Sequence, residues 1–387
     1  MDKNKPNYLL YNDGSGNCFI DLGLMMFNNF VQFPHESIPA FLFNINDEGF
    51  LKGELVKILN YLKNKHPNKL LLDFKRINMI GPRAIKTINE TIFIKYPNVE
   101  IIYYNIENNI NTILDLAVSD ISTLGSEEFK KLNRRISKLA SNNSIELICK
   151  QNQAEIKSNK NIASNATLQQ LNELKDKQFC QLLLACAIDG DKEVFHPEGK
   201  IANKYFDVSL LFRNLANFKF FVYYLILELI NWINNNKDKV RWIKDQTTGK
   251  DILKDKSDEV VVLVSSSATG SIIANAVGCL LGIPTIFFIA LGPEDLNDEI
   301  TERIQKGFIR KDFKDQKLLY VFDIMRNCVE FLKMEAVLKG MFNCKFYMAL
   351  GFAHLNKHIP TISLIDLKKH EKALDYLPDI QEERNDF

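Results

Sequence analysis

Along residues 1–120, short apolar runs alternate with stretches in which apolar side chains recur every three or four residues. Leu51 to Leu62 has that second spacing, which predicts an amphipathic helix. Lys69-Leu-Leu-Leu-Asp-Phe74 is a continuous apolar run of strand length, and Val99-Glu-Ile-Ile-Tyr-Tyr104 is a second one. Between them, Gly81-Pro82 precedes Ala84, Ile85, Ile88 and Ile92 at helical spacing. Proline is tolerated at a helix start because the first helical N–H groups have no intrahelical partner. Pro97-Asn98 closes that helix, so this region reads as a small α/β layer.

The pattern weakens from about residue 121. Asn, Lys and Ser dominate, as in Ser141-Asn-Asn-Ser144, although Phe129, Leu132, Ile136 and Leu139 keep some helical periodicity. Residues 121–174 therefore read as a helical, polar connector between a domain at 1–120 and one at 175–387. From about 175 strand and helix patterns alternate again, which predicts a parallel α/β sheet. Phe218 to Ile233 is apolar nearly throughout. It is shorter than the roughly 20 residues a bilayer needs and is broken by Lys219 and Glu228, so it reads as a helix buried in a core or a dimer interface.

Composition adds exclusions. With 49 basic and 48 acidic residues the formal net charge is +1, which gives no global attraction to nucleic acid or anionic membrane. The seven cysteines include no CxxC pair, and most lie in apolar surroundings, which suggests reduced thiols in a cytosolic protein. No HExxH or Cys/His cluster suggests zinc. The N-terminus has no signal-peptide core, so a cytoplasmic location is expected.

Two stretches of the C-terminal half carry candidate chemistry. Val260 to Ser265 is a β-branched run, followed by Ser266-Ser-Ala-Thr-Gly270 and an Ala-rich helical pattern. Small hydroxylated residues at a strand-to-helix turn aim N–H groups and hydroxyls at whatever lies above the strand end, a natural phosphate or carboxylate site. Leu318-Leu-Tyr-Val-Phe-Asp323 is another buried strand, predicted to end at its acid, and Phe331, Met334, Val337 and Leu338 mark the helix after it. In a parallel sheet both strand ends would border one crevice at the carboxyl edge, where open α/β folds bind ligands.

A third stretch, Glu193-Val-Phe-His-Pro-Glu-Gly-Lys-Ile-Ala-Asn-Lys-Tyr-Phe-Asp-Val208, resembles the substrate segment of orotate phosphoribosyltransferases. By that resemblance Lys200 falls on an active-site lysine and Phe206 on the aromatic beside the base. Ser266, Ser267, Thr269 and Gly270 fall in the pyrophosphate-side loop, and His358 to Leu367 on the closing strand and final helix start. The resemblance implies a type I phosphoribosyltransferase-like fold, a homodimer and magnesium. The excess apolar surface of the 218–232 helix points to the same dimer. The family's ribose-phosphate motif has two acids followed by a Thr-x-Gly-Thr loop. Here the acids become Phe322 and Asp323, and the loop becomes Arg326-Asn327-Cys328-Val329. Asp323 alone is left to hold ribose hydroxyls or share magnesium. The bulkier loop should block close backbone approach, and Arg326 could meet a phosphate with its guanidinium. Arg303, Lys306, Arg310, Lys311 and Lys314 lie where the family carries a mobile basic loop.

The N-terminal stretch from Leu70 to Ile88 resembles the STAS-like domain, over roughly residues 38–115. The position that takes phosphate in that family is Pro82, which has no hydroxyl. That excludes a phospho-switch and leaves a docking surface for a protein partner. The expectation is therefore an α/β protein with a STAS-like N-terminal domain and a phosphoribosyltransferase-like parallel-sheet C-terminal domain. The latter would bind a nucleotide or phosphoribosyl ligand as a sensor or regulator, through a degenerate site. The alternatives are an active phosphoribosyltransferase with a remodelled pocket and a pure interaction protein of a multi-gene system.

Overall fold

The computed structural model describes residues 5–29, 43–45, 48–80, 99–105, 165–195, 201–246, 251–288, 314–325, 328–355 and 359–374, together with the single positions 84, 87, 88, 91, 92, 95, 249, 298, 302 and 376. These fall into two compact units, divided at Lys177/Gln178.

In the first unit, β1 (Leu9–Asn12) and β2 (Asn17–Asp21) form an antiparallel hairpin that the sequence pattern did not announce. Asn12 makes the turn by accepting the backbone N–H groups of Gly14 and Ser15. Helix α1 (Leu22–Asn29) follows, its Leu24 N–H capped by Asp21 at 2.8 Å. β3 (Phe43–Ile45) is next, then α2 (Glu48–Tyr61), which starts three residues earlier than its apolar spacing suggests. β4 (Lys69–Asp73) and β6 (Glu100–Tyr104) are the two predicted strands. The sheet order is β1-β2-β4-β6, with β2, β4 and β6 parallel. β5 (Ile77–Ile80), unforeseen, pairs with β3 in a separate small sheet. Ala84, Ile88 and Ile92, from the predicted helix, are buried, whereas Pro82 lies outside the described residues.

Helix α3 (Asn165–Leu184) begins inside the stretch read as a connector. Its Leu171 and Leu174 pack with Leu10, Phe19, Leu71, Ile102 and Tyr104 of the first unit. Residues 121–164 lie outside the described residues.

The second unit opens with an antiparallel hairpin, β7 (Ala187–Phe195) and β8 (Ile201–Phe206). Helix α4 (Leu215–Asn235) is capped by Asn214, whose side chain accepts from Ala216 and Asn217 N–H. Phe220 to Leu227, Leu229, Ile230 and Ile233 are all buried within the chain, with Phe221 against Phe352 at 4.9 Å between ring centroids. Each such side chain contributes roughly 1.5–3 kcal/mol when withdrawn from water. The surplus apolar face that made this helix a dimer candidate is therefore covered internally, which removes that ground for a dimer. No helix among the described residues is long and apolar enough to cross a membrane.

After the hairpin β9 (Val240–Lys244) and β10 (Asp251–Asp255) come β11 (Val261–Ser265), α5 (Ala268–Leu281) and β12 (Thr285–Phe287). β13 (Lys317–Met325), α6 (Val329–Phe342), β14 (Lys345–His354), β15 (Thr361–Asp366) and the short α7 (Glu371–Leu374) complete the unit. Strands β11 to β15 make the expected sheet, all parallel, in the order β12-β11-β13-β14-β15. β13 runs two residues past Asp323, because Ile324 and Met325 still pair with Ala353 and His354. Successive strand side chains point to opposite faces. Val262, Val264, Leu318, Tyr320 and Phe322 accordingly share one cluster with Phe331, Met334 and Leu338 of α6.

Candidate functional site

Strand order reverses between β11 and β13: the chain leaves β11 to one side for β12 and returns on the other side as β13. At such a reversal the loops leaving the two strands diverge and open a crevice at the carboxyl edge. The turn from β11 into α5 and the end of β13 border this crevice.

The turn is held largely by its own hydroxyls. Ser267 is the N-cap of α5, its Oγ accepting the Gly270 N–H at 2.9 Å. Ser271 Oγ donates to the Ser267 carbonyl at 2.6 Å. Ser265, fully buried, donates to the same carbonyl at 3.4 Å. Ser266 Oγ meets the Tyr320 hydroxyl at 2.7 Å, and that hydroxyl also lies 3.4 Å from Glu330 Oε2. Burial, the Glu330 charge and the nearby Asp323 push the Tyr320 phenol well above its ordinary range, so Tyr320 stays neutral. Gly270 cannot be replaced: a Cβ there would come within 2.5 Å of Ser265 Oγ, 2.8 Å of Ser267 Oγ and 2.9 Å of the Val321 carbonyl. The glycine lets the first turn of α5 touch β13. Of the two serines expected at the ligand, Ser267 uses its hydroxyl to cap α5 and Ser266 joins its hydroxyl to Tyr320 on β13. Backbone N–H groups at the start of α5 are what such a turn can offer an anion.

Asp323 points to the α5 side of the sheet. Its Oδ1 accepts the Ile324 N–H at 2.7 Å, and the Thr269 side chain hydrogen-bonds the carboxylate. Burial raises its pKa above the ordinary carboxylate range, the charge of Asp207 adds to the rise, and the hydrogen bonds from Ile324 and Thr269 oppose it. Asp207, at the end of the β7–β8 hairpin, accepts from Ser209 N–H at 3.0 Å.

Phe322 takes the other face. It is buried with Tyr320, the two rings stacked at 6.5 Å and 18°. The family resemblance implies an acid replaced at this position, and the side chain that stands there belongs to the core cluster with α6. Cys328 corrects a second expectation. Its side chain is buried in the same core cluster instead of obstructing the loop, and its backbone has φ 64°, the left-handed conformation glycine favours. Cys328 occupies the position where the resembled Thr-x-Gly-Thr loop has its glycine.

Lys200, Arg326 and His358 lie outside the described residues, as do 303–313 of the basic loop. Phe206 ends β8 and packs on Tyr376 at 5.4 Å. The structure thus brings together Ser266, Ser267, Thr269, Gly270 and Asp323, and adds Tyr320, while Phe206 meets Tyr376 in a contact of its own. Asp207 was open to recognition as an Asp-x-Ser cap. Tyr320 hides inside an apolar run, and nothing in sequence links Tyr376 to residue 206. Among the described residues no three His, Cys, Asp or Glu side chains converge as a metal set.

No protein-family model matches the chain, and no curated protein matches it. Among solved structures the chain is similar to the crystal structure of orotate phosphoribosyltransferase from Aeropyrum pernix, at 10% identity and a TM-score of 0.31, over 51% of this chain and 99% of that one.

Proposed function

We propose that the C-terminal unit is a phosphoribosyltransferase-like domain that binds a nucleotide or phosphoribosyl ligand, as a sensor or regulator. The observation that carries this reading is the Asp323 carboxylate anchored beside the first turn of α5, at the strand reversal. A carboxylate there suits ribose hydroxyls, and the N–H groups opening α5 suit a phosphate. The sequence resemblance of 193–208 and 265–274 supports the same ligand class. Magnesium held by a single carboxylate takes its other ligands from water and phosphate oxygens, so it would arrive with the ligand. The first unit, by its STAS-like resemblance, docks a protein partner.

The left-handed backbone at Cys328 favours a second reading, a working phosphoribosyltransferase with a remodelled pocket. Two experiments separate the readings. Calorimetric titration of ribose 5-phosphate, phosphoribosyl pyrophosphate and nucleoside monophosphates, with and without magnesium, should show binding. Asp323→Ala should weaken that binding, more strongly with magnesium. Arg326→Ala should weaken it about ten-fold or more, as loss of a charged hydrogen bond does, and Lys314→Ala much less. Pyrophosphate release from phosphoribosyl pyrophosphate plus nucleobases would instead establish the transferase. No binding at millimolar concentration by any of these compounds would leave the interaction-protein reading.

A further inference from the structure

Tyr320 carries a hydroxyl into an otherwise apolar cluster. Its ring is fixed by Phe322, Phe331 and Phe346, at centroid separations of 6.5, 5.5 and 6.4 Å. A phenylalanine would fill that space as well, so packing accounts for the ring and leaves the hydroxyl to be explained. A buried tyrosine usually finds a partner for its O–H. Here there are two, both at the carboxyl edge of the sheet. Val264 is the register partner of Tyr320, and Ser266, two residues further on, brings its Oγ to 2.7 Å. Glu330, exposed in the first turn of α6, brings Oε2 to 3.4 Å.

The neutral phenol has one proton to place between these two neighbours. The Glu330 carboxylate accepts and has no proton to give. Its contact with Tyr320 is therefore attractive only when Tyr320 donates. That commits the tyrosine proton, so in the shorter contact Ser266 is the donor and Tyr320 the acceptor. Ser266 has then directed its own single proton at Tyr320, and only lone pairs remain on Oγ. The half-buried serine can accept from a ligand and cannot donate to one. The N–H groups that open α5 have the opposite polarity.

We infer that Tyr320 is a positioning residue that fixes Ser266 as a hydrogen-bond acceptor for a sugar hydroxyl, leaving phosphate to the N–H groups of α5. A ribose hydroxyl has a proton to donate to Ser266. An ionised phosphate oxygen has none and would set lone pair against lone pair. The arrangement orients a phosphoribosyl ligand on the turn and favours it over phosphate alone. This inference rests on the ligand reading above and deepens it.

Calorimetric titration of ribose 5-phosphate and of inorganic phosphate into wild type, Ser266→Ala, Tyr320→Phe and the double variant tests it. Ser266→Ala should bind ribose 5-phosphate a few-fold to about ten-fold more weakly, the size of one neutral hydrogen bond, and phosphate as wild type does. Tyr320→Phe keeps the ring and frees the serine proton, so the preference for ribose 5-phosphate over phosphate should shrink several-fold. In the Ser266→Ala background the same change should leave that preference unaltered, because the tyrosine acts only through the serine. Equal weakening of both compounds in Ser266→Ala overturns the inference, making Ser266 a donor to phosphate. An unchanged preference in either single variant also overturns it, and the ligand reading stands as long as wild type binds ribose 5-phosphate. If wild type binds neither compound, the ligand reading fails and the role of Tyr320 falls with it. Thermal melting checks that each variant is folded, and Ser266→Ala, at a half-buried position, keeps the inference testable should Tyr320→Phe not fold.

Discussion

Phe322 and Gly351 are register partners on adjacent parallel strands, and the Phe322 ring fills the space that a side chain on Gly351 would occupy. The glycine is therefore a packing requirement. Gly351→Ala should destabilise the second unit by about 1–3 kcal/mol, the usual effect of forcing a methyl into a filled core. Urea unfolding monitored by tryptophan fluorescence measures it, and Gly351→Ala combined with Phe322→Leu should recover part of the loss. Equal stability of Gly351→Ala and wild type would mean that the ring moves aside without strain.

The same packing predicts what restoring an acid at position 322 does. Phe322→Asp places a carboxylate among Tyr320, Phe331 and Met334 instead of in the crevice. An uncompensated buried charge typically costs about 3–5 kcal/mol, so the variant should unfold at lower denaturant and gain no transferase activity. Pyrophosphate release by a stably folded Phe322→Asp protein would contradict this placement.

Ser267 offers a test of the turn. Its Oγ caps the Gly270 N–H, so Ser267→Ala should cost about 1 kcal/mol and Ser267→Asp should retain most of the stability. Ser267→Asp would also put a negative charge where an anionic ligand is proposed. It should therefore lose ribose 5-phosphate binding in calorimetry while keeping its melting temperature, a split that a purely structural serine would not produce.

Asp73 gives a pH dependence in the first unit. It is buried and opposite Asp21 in register, and its Oδ1 accepts Lys75 N–H and Asn105 Nδ2, both at 2.9 Å. Burial raises its pKa, the Asp21 charge raises it further, and Lys175 with the two hydrogen bonds opposes the rise. The folded form then holds the proton more tightly than the unfolded form. The stabilisation from that proton is fully present below the unfolded carboxyl value of about 3.9 and is lost as pH climbs through the raised folded value. Asp73→Asn keeps the Oδ1 acceptor and never ionises, so it avoids the loss. Its stability advantage over wild type should widen as pH rises through that window and then level off. Urea unfolding at a series of pH values measures this, and a constant difference across the series would contradict the shift.

Much of the second unit was legible in sequence because its signals are local. The run Val261–Ser265, the small-residue turn and the Ala-rich pattern after it specify a strand, an N-cap and a helix within some twenty positions, through backbone chemistry that neighbours alone decide. Asp323 could be singled out for a similar reason, as an acid at the end of an apolar run. The apolar spacing of Leu51–Leu62 and of 331–338 placed two helices, and the runs at 69–74 and 99–104 placed two strands. Which way a side chain faces depends on where its strand sits between layers, and that only the tertiary structure decided. Period-two alternation sends Phe322 under α6 and Asp323 toward α5, although the two are adjacent in sequence. The fate of the 218–233 helix was likewise a tertiary matter: apolar on every side, it suited a dimer interface or a core equally well until Phe352 and its neighbours closed around it. The pairing of Phe206 with Tyr376 is the plainest case. The contact joins residues far apart along the chain, and no local preference of either one encodes it. The packing of the C-terminal segment beside the hairpin creates it.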